Sequence, residues 1–223
     1  MFTGIIQNTS RVLAVQKKSS GILLGIRRPF HWKLLKRGES IAVDGVCLTL
    51  TTADRVILGF DIIKQTLMRT TLTSVTVGSV VNLERSLRAS DLIGGHIVAG
   101  HVDAVGRVAR VISRSNDYRI TIQLPKELMK FCPVRGSVAI NGVSLTIAAS
   151  SRTRVTVALT DYTLQHTNLG VLKRGDIVNV EIDLIARYLE KLYKTKTPPL
   201  RGSRGSKIPC STDRDCHLHN RIP

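Results

Sequence analysis

The chain has 223 residues, 43% of them hydrophobic, which suits one or two domains with a substantial core. Its formal net charge is +17, but only 4% of its residues are aromatic, too few for the stacking platforms of barrels that bind nucleic acid. Nucleic acid is therefore not expected to be the main partner. No run of about 18 apolar residues is present, so no membrane-spanning helix is predicted.

The start of the chain and the cysteines bear on its location. The first residues, MFTGIIQNTS, lack the basic region and long apolar stretch of a secretory signal. Four cysteines are too sparse for a disulfide scaffold, which favours a reducing compartment. We therefore expect a cytoplasmic protein.

Strand-like runs dominate the chain. Alternating or apolar arms flank Asp44-Gly45 and again Asn141-Gly142, and both dipeptides suit the type I′ turn of a tight hairpin. Short helices are predicted near residues 31–35, 65–72 and 126–131. In chain order, further strands are predicted at 55–63, 79–84, 96–112, 118–124, 154–159 and 176–182. Many short strands separated by turn residues are typical of small antiparallel barrels.

An internal repeat organises this pattern. The stretch DGVCLTL at residues 44–50 returns 97 positions later as NGVSLTI, and the same offset aligns residues 40–84 with 137–181 without a gap. Extended to the start of each half, it places Gly4 opposite His101 and Phe2 opposite Ala99. The repeat predicts two homologous domains, residues 1–97 and 98–186.

The C-terminal part differs from the repeats. Leu184, Tyr188 and Leu192 form an apolar stripe at helical spacing, so we expect an amphipathic helix that begins near residue 184, with residues 187–195 serving in oligomerisation. Residues 196–223 are rich in proline, glycine, serine and charge, and we expect them to be a disordered, basic tail. Their cysteines and histidines match no strong zinc pattern, so no metal site is predicted.

Polar residues recur at matching points of the two halves and predict two similar ligand pockets. Ser40 and Ser137, Thr49 and Thr146, and Thr66 and Thr163 are such pairs, and each alternates with apolar residues that would fill a barrel.

Where the halves differ, their roles could have diverged. In the alignment of the two halves, Cys47 is matched by Ser144, and Ser86 is matched by Asp183. Each difference also has a structural explanation, because a cysteine is often a small buried apolar residue and an aspartate can simply end a strand. His96 and His101 are expected on opposite faces of a strand, so a shared metal is not predicted.

The phrases MFTGII, SIAVDGVCLTL, VNLERSL, GGHIVAGHVD and NGVSLTI with VNVEID together closely resemble riboflavin synthase of the alpha-chain type, over about residues 1–195. This resemblance implies an all-β fold of two tandem six-stranded antiparallel β-barrels plus a C-terminal helix. It also implies an enzyme, without cofactor or metal, that binds two molecules of 6,7-dimethyl-8-ribityllumazine per site. One molecule donates a four-carbon unit to the other, giving riboflavin and 5-amino-6-ribitylamino-2,4-pyrimidinedione.

The resemblance further implies a homotrimer with each active site between the N-terminal barrel of one subunit and the C-terminal barrel of its neighbour, and it allows an association with lumazine synthase. By the same resemblance, the catalytic positions are Ser40, Cys47, His101, Ser144, Thr146 and Asp183. Cys47 would orient or activate the nucleophile, while His101 and Asp183 would handle protons or position ribityl hydroxyls.

Substrate-binding positions are also carried over from the family. Those assigned to the first barrel are Phe2, Gly4, Ile5, Ile6, Leu48, Thr49, Asp61, Ile62, Ile63, Lys64, Gln65 and Thr66. Those assigned to the second barrel are Gly100, Val102, Leu145, Ala158, Leu159, Thr160, Asp161, Tyr162 and Thr163, and Arg135 falls where the family commonly has a basic residue.

The chain departs from the family pattern in three places. Gln65 stands where a glutamate is usual, Asp44 where asparagine is commoner, and the tail after residue 196 is not a family feature.

Two other classes stay open at this point. A non-catalytic lumazine protein would share the fold and hold a lumazine or flavin as a fluorophore, but that type lacks the GGH and GHVD phrases that are present here. A small barrel that binds nucleic acid is suggested only by the charge.

Overall fold

Two closed six-stranded antiparallel barrels follow one another along the chain in a computed structural model that describes residues 1–114 and 117–196, with side chains through residue 193. This confirms the predicted fold class. The predicted disordered tail and its cysteines and histidines lie outside the described residues.

The two barrels have the same element order. The first contains β1 (Asn8–Lys18), β2 (Gly21–Arg27), β3 (Ser40–Val43), β4 (Val46–Ala53), β5 (Ile57–Ile63), α1 (Lys64–Arg69), a 3-10 helix (Thr71–Ser74) and β6 (Val80–Arg85). The second contains β7 (Ala104–Arg114), β8 (Asp117–Gln123), a 3-10 helix (Lys126–Phe131), β9 (Ser137–Ile140), β10 (Val143–Ser150), β11 (Arg154–Leu159), α2 (Asp161–His166), a 3-10 helix (Asn168–Val171) and β12 (Ile177–Ile182).

Strand pairing closes each barrel in the same way. The spatial order is β1-β2-β5-β4-β3-β6 in the first barrel, and the second repeats it as β7-β8-β11-β10-β9-β12. The boundary predicted at residues 97/98 falls in the connection between β6 and β7.

Alternating residues of each strand fill the barrels. On β4, Val46, Leu48 and Leu50 are buried, while Thr49 between them is exposed and Cys47 is partly exposed. Side chains of a strand point alternately to opposite faces, so the apolar set forms the core and the polar set lies on the outer surface. Burying one such Leu or Val side chain contributes about 1.5–3 kcal/mol.

The final helix, α3 (Leu184–Lys196), is docked on the second barrel by ion pairs. Arg187 Nη2 lies 2.6 Å and 2.7 Å from the two carboxylate oxygens of Asp103, and Lys130 is paired with Glu190. No helix in the described part of the chain is long and apolar enough to cross a membrane.

Three local predictions were wrong or missed. Strands β1 and β2 were not predicted, residues 31–35 are irregular after a turn at His31 and form no helix, and the strand expected from residue 96 begins only at Ala104. Residues 99–101 do not pair as a strand because their backbone N–H groups donate to the side chain of Glu181.

The structure also corrects the alignment of the two halves near their starts. Phe2 pairs with Val98, and Gly4 and Gly100 occupy equivalent places with φ of 75° and 82°. The offset there is 96, not 97, because the connection from β2 to β3 is one residue shorter than that from β8 to β9. Gly4 therefore corresponds to Gly100 and not to His101, and Phe2 corresponds to Val98 and not to Ala99.

The two hairpin turns meet at the interface between the barrels. Asp44, Gly45, Asn141 and Gly142 all have φ between 45° and 79°, as type I′ turns require. A Cβ atom added to Gly45 would lie 2.6 Å from the backbone nitrogen of Gly142. These glycines thus serve the turn and also allow the two barrels to approach each other closely.

Side-chain amides extend this contact into a buried polar network. Asn82 Nδ2 donates to Asn141 O, and Asn179 Nδ2 donates to Asp44 O, each over 2.9 Å. Asn168 Nδ2 donates to Asp44 Oδ1 over 2.8 Å. Burial raises the pKa of Asp44 to about 7, although the hydrogen bonds from Asn82 N and Asn168 lower it.

We predict that Asp44→Asn stabilises the protein at alkaline pH. The folded-state pKa of about 7 exceeds the ordinary value of 3.8, so the stability present below pH 3.8 is lost progressively as the pH rises to about 7, and the loss is complete once the buried carboxyl has ionised. Asparagine has no charge to bury, and the expected gain in unfolding free energy is about 2–4 kcal/mol at pH 8 and near zero at pH 4.

Urea denaturation of both proteins at several pH values measures this difference. Asn141→Asp is the matched reciprocal variant, and it should lose stability at pH 8. A difference between Asp44→Asn and the parent protein that does not vary with pH would contradict the interpretation.

Candidate active site

A cleft of about 220 Å³ lies on the outer surface of the first barrel, beside the β3–β4 hairpin. Its lining residues come from β4, from α1 with the residue after it, and from the segment that precedes β7: Val46, Cys47, Gln65, Thr66, Arg69, Thr70, Gly100, His101 and Val102. Six of these nine belong to the predicted site, so this cleft is the candidate ligand site of the first barrel.

The segment around Gly100 belongs to the second half of the chain but completes this cleft. Cys47 N donates to Gly100 O over 2.9 Å. A Cβ on Gly100 would lie 2.6 Å from the Cβ of Cys47, and its φ of 82° is in the left-handed region, so glycine is required there. Val102 packs against the core of the first barrel.

The second barrel has the reciprocal arrangement. Ser144 N donates to Gly4 O over 2.8 Å, and a Cβ on Gly4 would lie 2.6 Å from the Cβ of Ser144. Ile6 packs against the core of the second barrel. The initial segment of each half therefore completes the site of the other barrel.

This exchange corrects the sequence assignment. The residues Gly4, Ile5 and Ile6 belong with the Ser144 site, whereas Gly100 and Val102, together with His101, belong with the Cys47 site. The repeat could not reveal the exchange, because sequence alignment pairs equivalent residues and does not show which barrel they contact.

Two buried carboxylates hold the exchanged segments. Glu84 Oε1 accepts from Thr3 N and Thr3 Oγ1, both over 2.7 Å, and Glu84 Oε2 accepts from Gly4 N over 3.0 Å. Glu181 accepts from the backbone nitrogens of residues 99–101 over 2.7–3.0 Å. Burial raises the pKa of both carboxyls, that of Glu181 to about 7, against the opposing effect of these hydrogen bonds.

A histidine–serine pair distinguishes the second site. His96 Nδ1 lies 2.7 Å from Ser144 Oγ, and no partner for the buried His96 Nε2 is found among the described residues. Burial lowers the pKa of His96, opposed by the charge of Asp183. The imidazole is thus neutral near pH 7 and can accept the serine proton in the tautomer that leaves Nδ1 unprotonated.

Gly95 leaves room for the Ser144 side chain in this pair, since a Cβ at Gly95 would lie 2.8 Å from Ser144 Oγ. His96 was not among the site residues predicted from the sequence. Its place in the phrase GGHIVAGH, directly after two glycines, was the signal for close packing.

Other predicted residues have varied environments. Ser40 pairs with Thr49 across β3–β4, as Ser137 does with Thr146 across β9–β10. Asp183 Oδ1 accepts from Ile185 N over 2.9 Å at the start of α3. Asp61 forms an exposed ion pair with Lys18.

Several predicted contacts are buried and could offer a ligand only backbone atoms. Phe2 packs between the barrels and is 1% exposed. Four other predicted contacts, Leu48, Ile62, Leu145 and Leu159, are among the apolar side chains that fill the barrels.

The other predicted substrate-contact positions lie at the ends of the strands or in the helices that follow them. Thr160 Oγ1 accepts from Thr163 N at the start of α2, and the ring of Tyr162 stacks on His166. Arg135 has a φ of 70° and donates its backbone N–H to Ile147 O. The remaining ones, Ile63, Lys64, Ala158 and Asp161, are exposed.

Comparison with known proteins identifies the family of this chain. The model of the lumazine binding domain matches residues 3–86 and again 99–183, so the chain carries two domains of this family in tandem. Riboflavin synthase from Escherichia coli (strain K12) is 37% identical over 185 residues, covering 82% of this chain and 87% of that protein. Riboflavin synthase from Bacillus subtilis (strain 168) is 35% identical over 201 residues, covering 88% of this chain and 94% of that protein. The chain belongs to the riboflavin synthase family.

Solved structures agree with the fold. LumP complexed with riboflavin has a TM-score of 0.75 at 28% identity, and LumP complexed with 6,7-dimethyl-8-(1'-D-ribityl) lumazine has a TM-score of 0.73 at 27% identity. Each match covers 82% of this chain and 99% of LumP.

We predict that Gly100→Ala destabilises the protein more than Gly38→Ala does. Both glycines have positive φ, of 82° and 88°, but only Gly100 faces neighbouring atoms, whereas nothing lies within 4 Å of a Cβ at Gly38. The strained backbone alone should cost about 1 kcal/mol, and the overlap with Cys47 should add about 1–3 kcal/mol. Urea unfolding measures both losses, and equal losses would show that the close approach is not needed.

Proposed function

We propose that the protein catalyses the dismutation of two molecules of 6,7-dimethyl-8-ribityllumazine into riboflavin and 5-amino-6-ribitylamino-2,4-pyrimidinedione. The observation that carries this proposal is the pair of equivalent hairpin sites, built by duplication around Cys47 and Ser144, in a chain of the riboflavin synthase family. Duplicated sites suit a reaction whose two substrates are the same molecule.

The chemistry makes modest demands on the protein. The two products together contain every atom of the two substrates, so the reaction balances without an oxidant, a reductant or a cofactor. Holding two flat rings face to face supplies most of the required acceleration through proximity. The side chains then have to move protons and stabilise the charge that develops.

The pair of His96 and Ser144 is the best placed for proton transfer. The neutral imidazole accepts the Ser144 proton at 2.7 Å, which allows the hydroxyl oxygen to take a proton from a bound ring. Cys47, in the other cleft, is the residue that orients or activates the attacking molecule. Asp183 and His101 position ribityl hydroxyls or assist in proton transfer.

Assembly of a homotrimer would bring a first-barrel cleft of one subunit against a second-barrel cleft of its neighbour. Exposed apolar side chains on α3 support such an interface, because Ile185, Tyr188 and Leu189 are 57–61% exposed. We place the enzyme in the cytoplasm, where the free thiols Cys47 and Cys132 would stay reduced, and an association with lumazine synthase is compatible with this location.

We predict that the purified protein converts the lumazine to riboflavin and that His96→Gln lowers kcat by about 100-fold or more, with a smaller change in KM. Because burial lowers the pKa of His96 from 6.5, the imidazole stays neutral to lower pH than usual. The kcat of the parent protein should fall only below pH 6.5, and His96→Gln should lose this acid limb.

Riboflavin fluorescence follows the reaction, and light scattering on the same samples should give the mass of a trimer. Arg152→Gln, an exposed residue in the turn between β10 and β11, at the opposite end of β10 from Ser144, is the control and should keep full activity. Binding without turnover would favour a non-catalytic lumazine protein. Neither binding nor turnover, with salt-sensitive retention of RNA, would favour a nucleic-acid-binding barrel instead.

A further inference from the structure

Arg69 is the one lining residue of the Cys47 cleft that is always positively charged, and the family resemblance did not single it out. It lies in the last turn of α1 and is exposed, and it lines the cleft together with Cys47, Thr66 and His101.

No carboxylate compensates this charge. None of the residues that line the cleft is an aspartate or a glutamate, and Arg69 takes part in none of the ion pairs formed within residues 1–114 and 117–193. Asp61, which precedes α1 in the chain, is paired with Lys18 over 2.9 Å. Glu181 is buried behind the backbone of residues 99–101 and already accepts three N–H groups.

The equivalent position in the second barrel is different. His166, in the last turn of α2, stacks on Tyr162 with the ring centroids 4.0 Å apart, and its Nδ1 lies 2.8 Å from Tyr162 O. The acidic group on that side is Asp183, whose charge acts on His96. The first cleft therefore carries an available cation, whereas the second has an imidazole held against its own helix and a carboxylate close by.

This difference has a chemical consequence that rests on the proposed function. One lumazine must lose a proton from its C7 methyl group before it can attack the other. The electron pair left behind spreads through the ring onto the pyrimidine carbonyl oxygens. A planar guanidinium with several N–H donors suits such delocalised negative charge better than a neutral side chain does.

We propose that Arg69 makes the Cys47 cleft selective for the anionic form of the lumazine, so that the first barrel holds the molecule that attacks and the second barrel holds the molecule that is attacked. Binding then favours ionisation of the ring, with the proton released to solvent, because a nearby positive charge stabilises the charged form. Arg69 is a specificity residue for the charge of the ligand.

Two ligands that share the ribityl chain and the pyrimidinedione ring but differ in charge test this proposal. The 7-oxo analogue of the lumazine has a carbonyl in place of the C7 methyl and can lose a ring N–H proton to give a delocalised anion, whereas riboflavin is neutral near pH 7. Fluorescence titration of the full chain with each ligand gives the affinities. In Arg69→Gln we expect the affinity for the anion at one of its sites to fall about 10-fold, with a change of less than about 2-fold for riboflavin.

Matched variants separate charge from structure. Arg69→Lys should recover part of the affinity for the anion, and His166→Gln at the equivalent position should leave both ligands unaffected. Equal weakening of both ligands in Arg69→Gln, or no weakening of the anion, would overturn the proposal. If Arg69→Gln weakens binding of the anion as expected but the parent protein makes no riboflavin from the lumazine, the proposed reaction is refuted. The proposed charge selectivity of the Cys47 cleft would still stand.

Discussion

The hydrogen bonds that Glu84 and Glu181 accept from the backbone of the exchanged segments are the interactions on which the rest of the structure depends. Each carboxylate stands on the last strand of its barrel and fixes the residues that precede the first strand of the same barrel. The fixed segment then reaches the hairpin of the other barrel, where Gly4 contacts Ser144 and Gly100 contacts Cys47. A buried carboxyl is costly unless its oxygens are satisfied, and here backbone N–H groups satisfy them.

Much of this architecture follows from the sequence. The repeat of DGVCLTL as NGVSLTI predicted the duplicated barrels and the equivalent hairpins because its pattern is local and strong. Strand β1 was missed because only Ser10 and Val12 of its eleven residues are buried, so no apolar run marks it. The one-residue shift at the start of each half was missed because it arises in a connection that has no recognisable pattern.

The candidate site was predictable in composition but not in arrangement. Residue types at Cys47, Thr66 and His101 identified the first cleft, yet the exchange of segments depends on contacts between residues some 50 or more positions apart. The roles of His96 and Arg69 could not be predicted from the sequence because they also depend on contacts between residues that are distant along the chain. His96 meets Ser144 only after the barrels have closed, and Arg69 reaches the cleft only from the end of α1.

Divergence after duplication explains why the two halves are alike in fold but not in chemistry. Three pairs of equivalent residues show this. The thiol of Cys47 corresponds to the hydroxyl of Ser144, and the guanidinium of Arg69 corresponds to the stacked imidazole of His166. The carboxyl of Asp44 corresponds to the amide of Asn141. Each change alters charge or proton affinity and leaves the backbone in place. Two sites with the same backbone framework can thus hold two copies of one ligand in different electronic states.

The central claim is that each chain carries two ligand clefts of common origin, and the number of ligands bound per chain tests it most directly. Calorimetric titration of the full chain with riboflavin, the unreactive product, gives this number. Two riboflavin molecules per chain are predicted, one for the Cys47 cleft and one for the Ser144 cleft. A single riboflavin per chain at saturation would contradict the account.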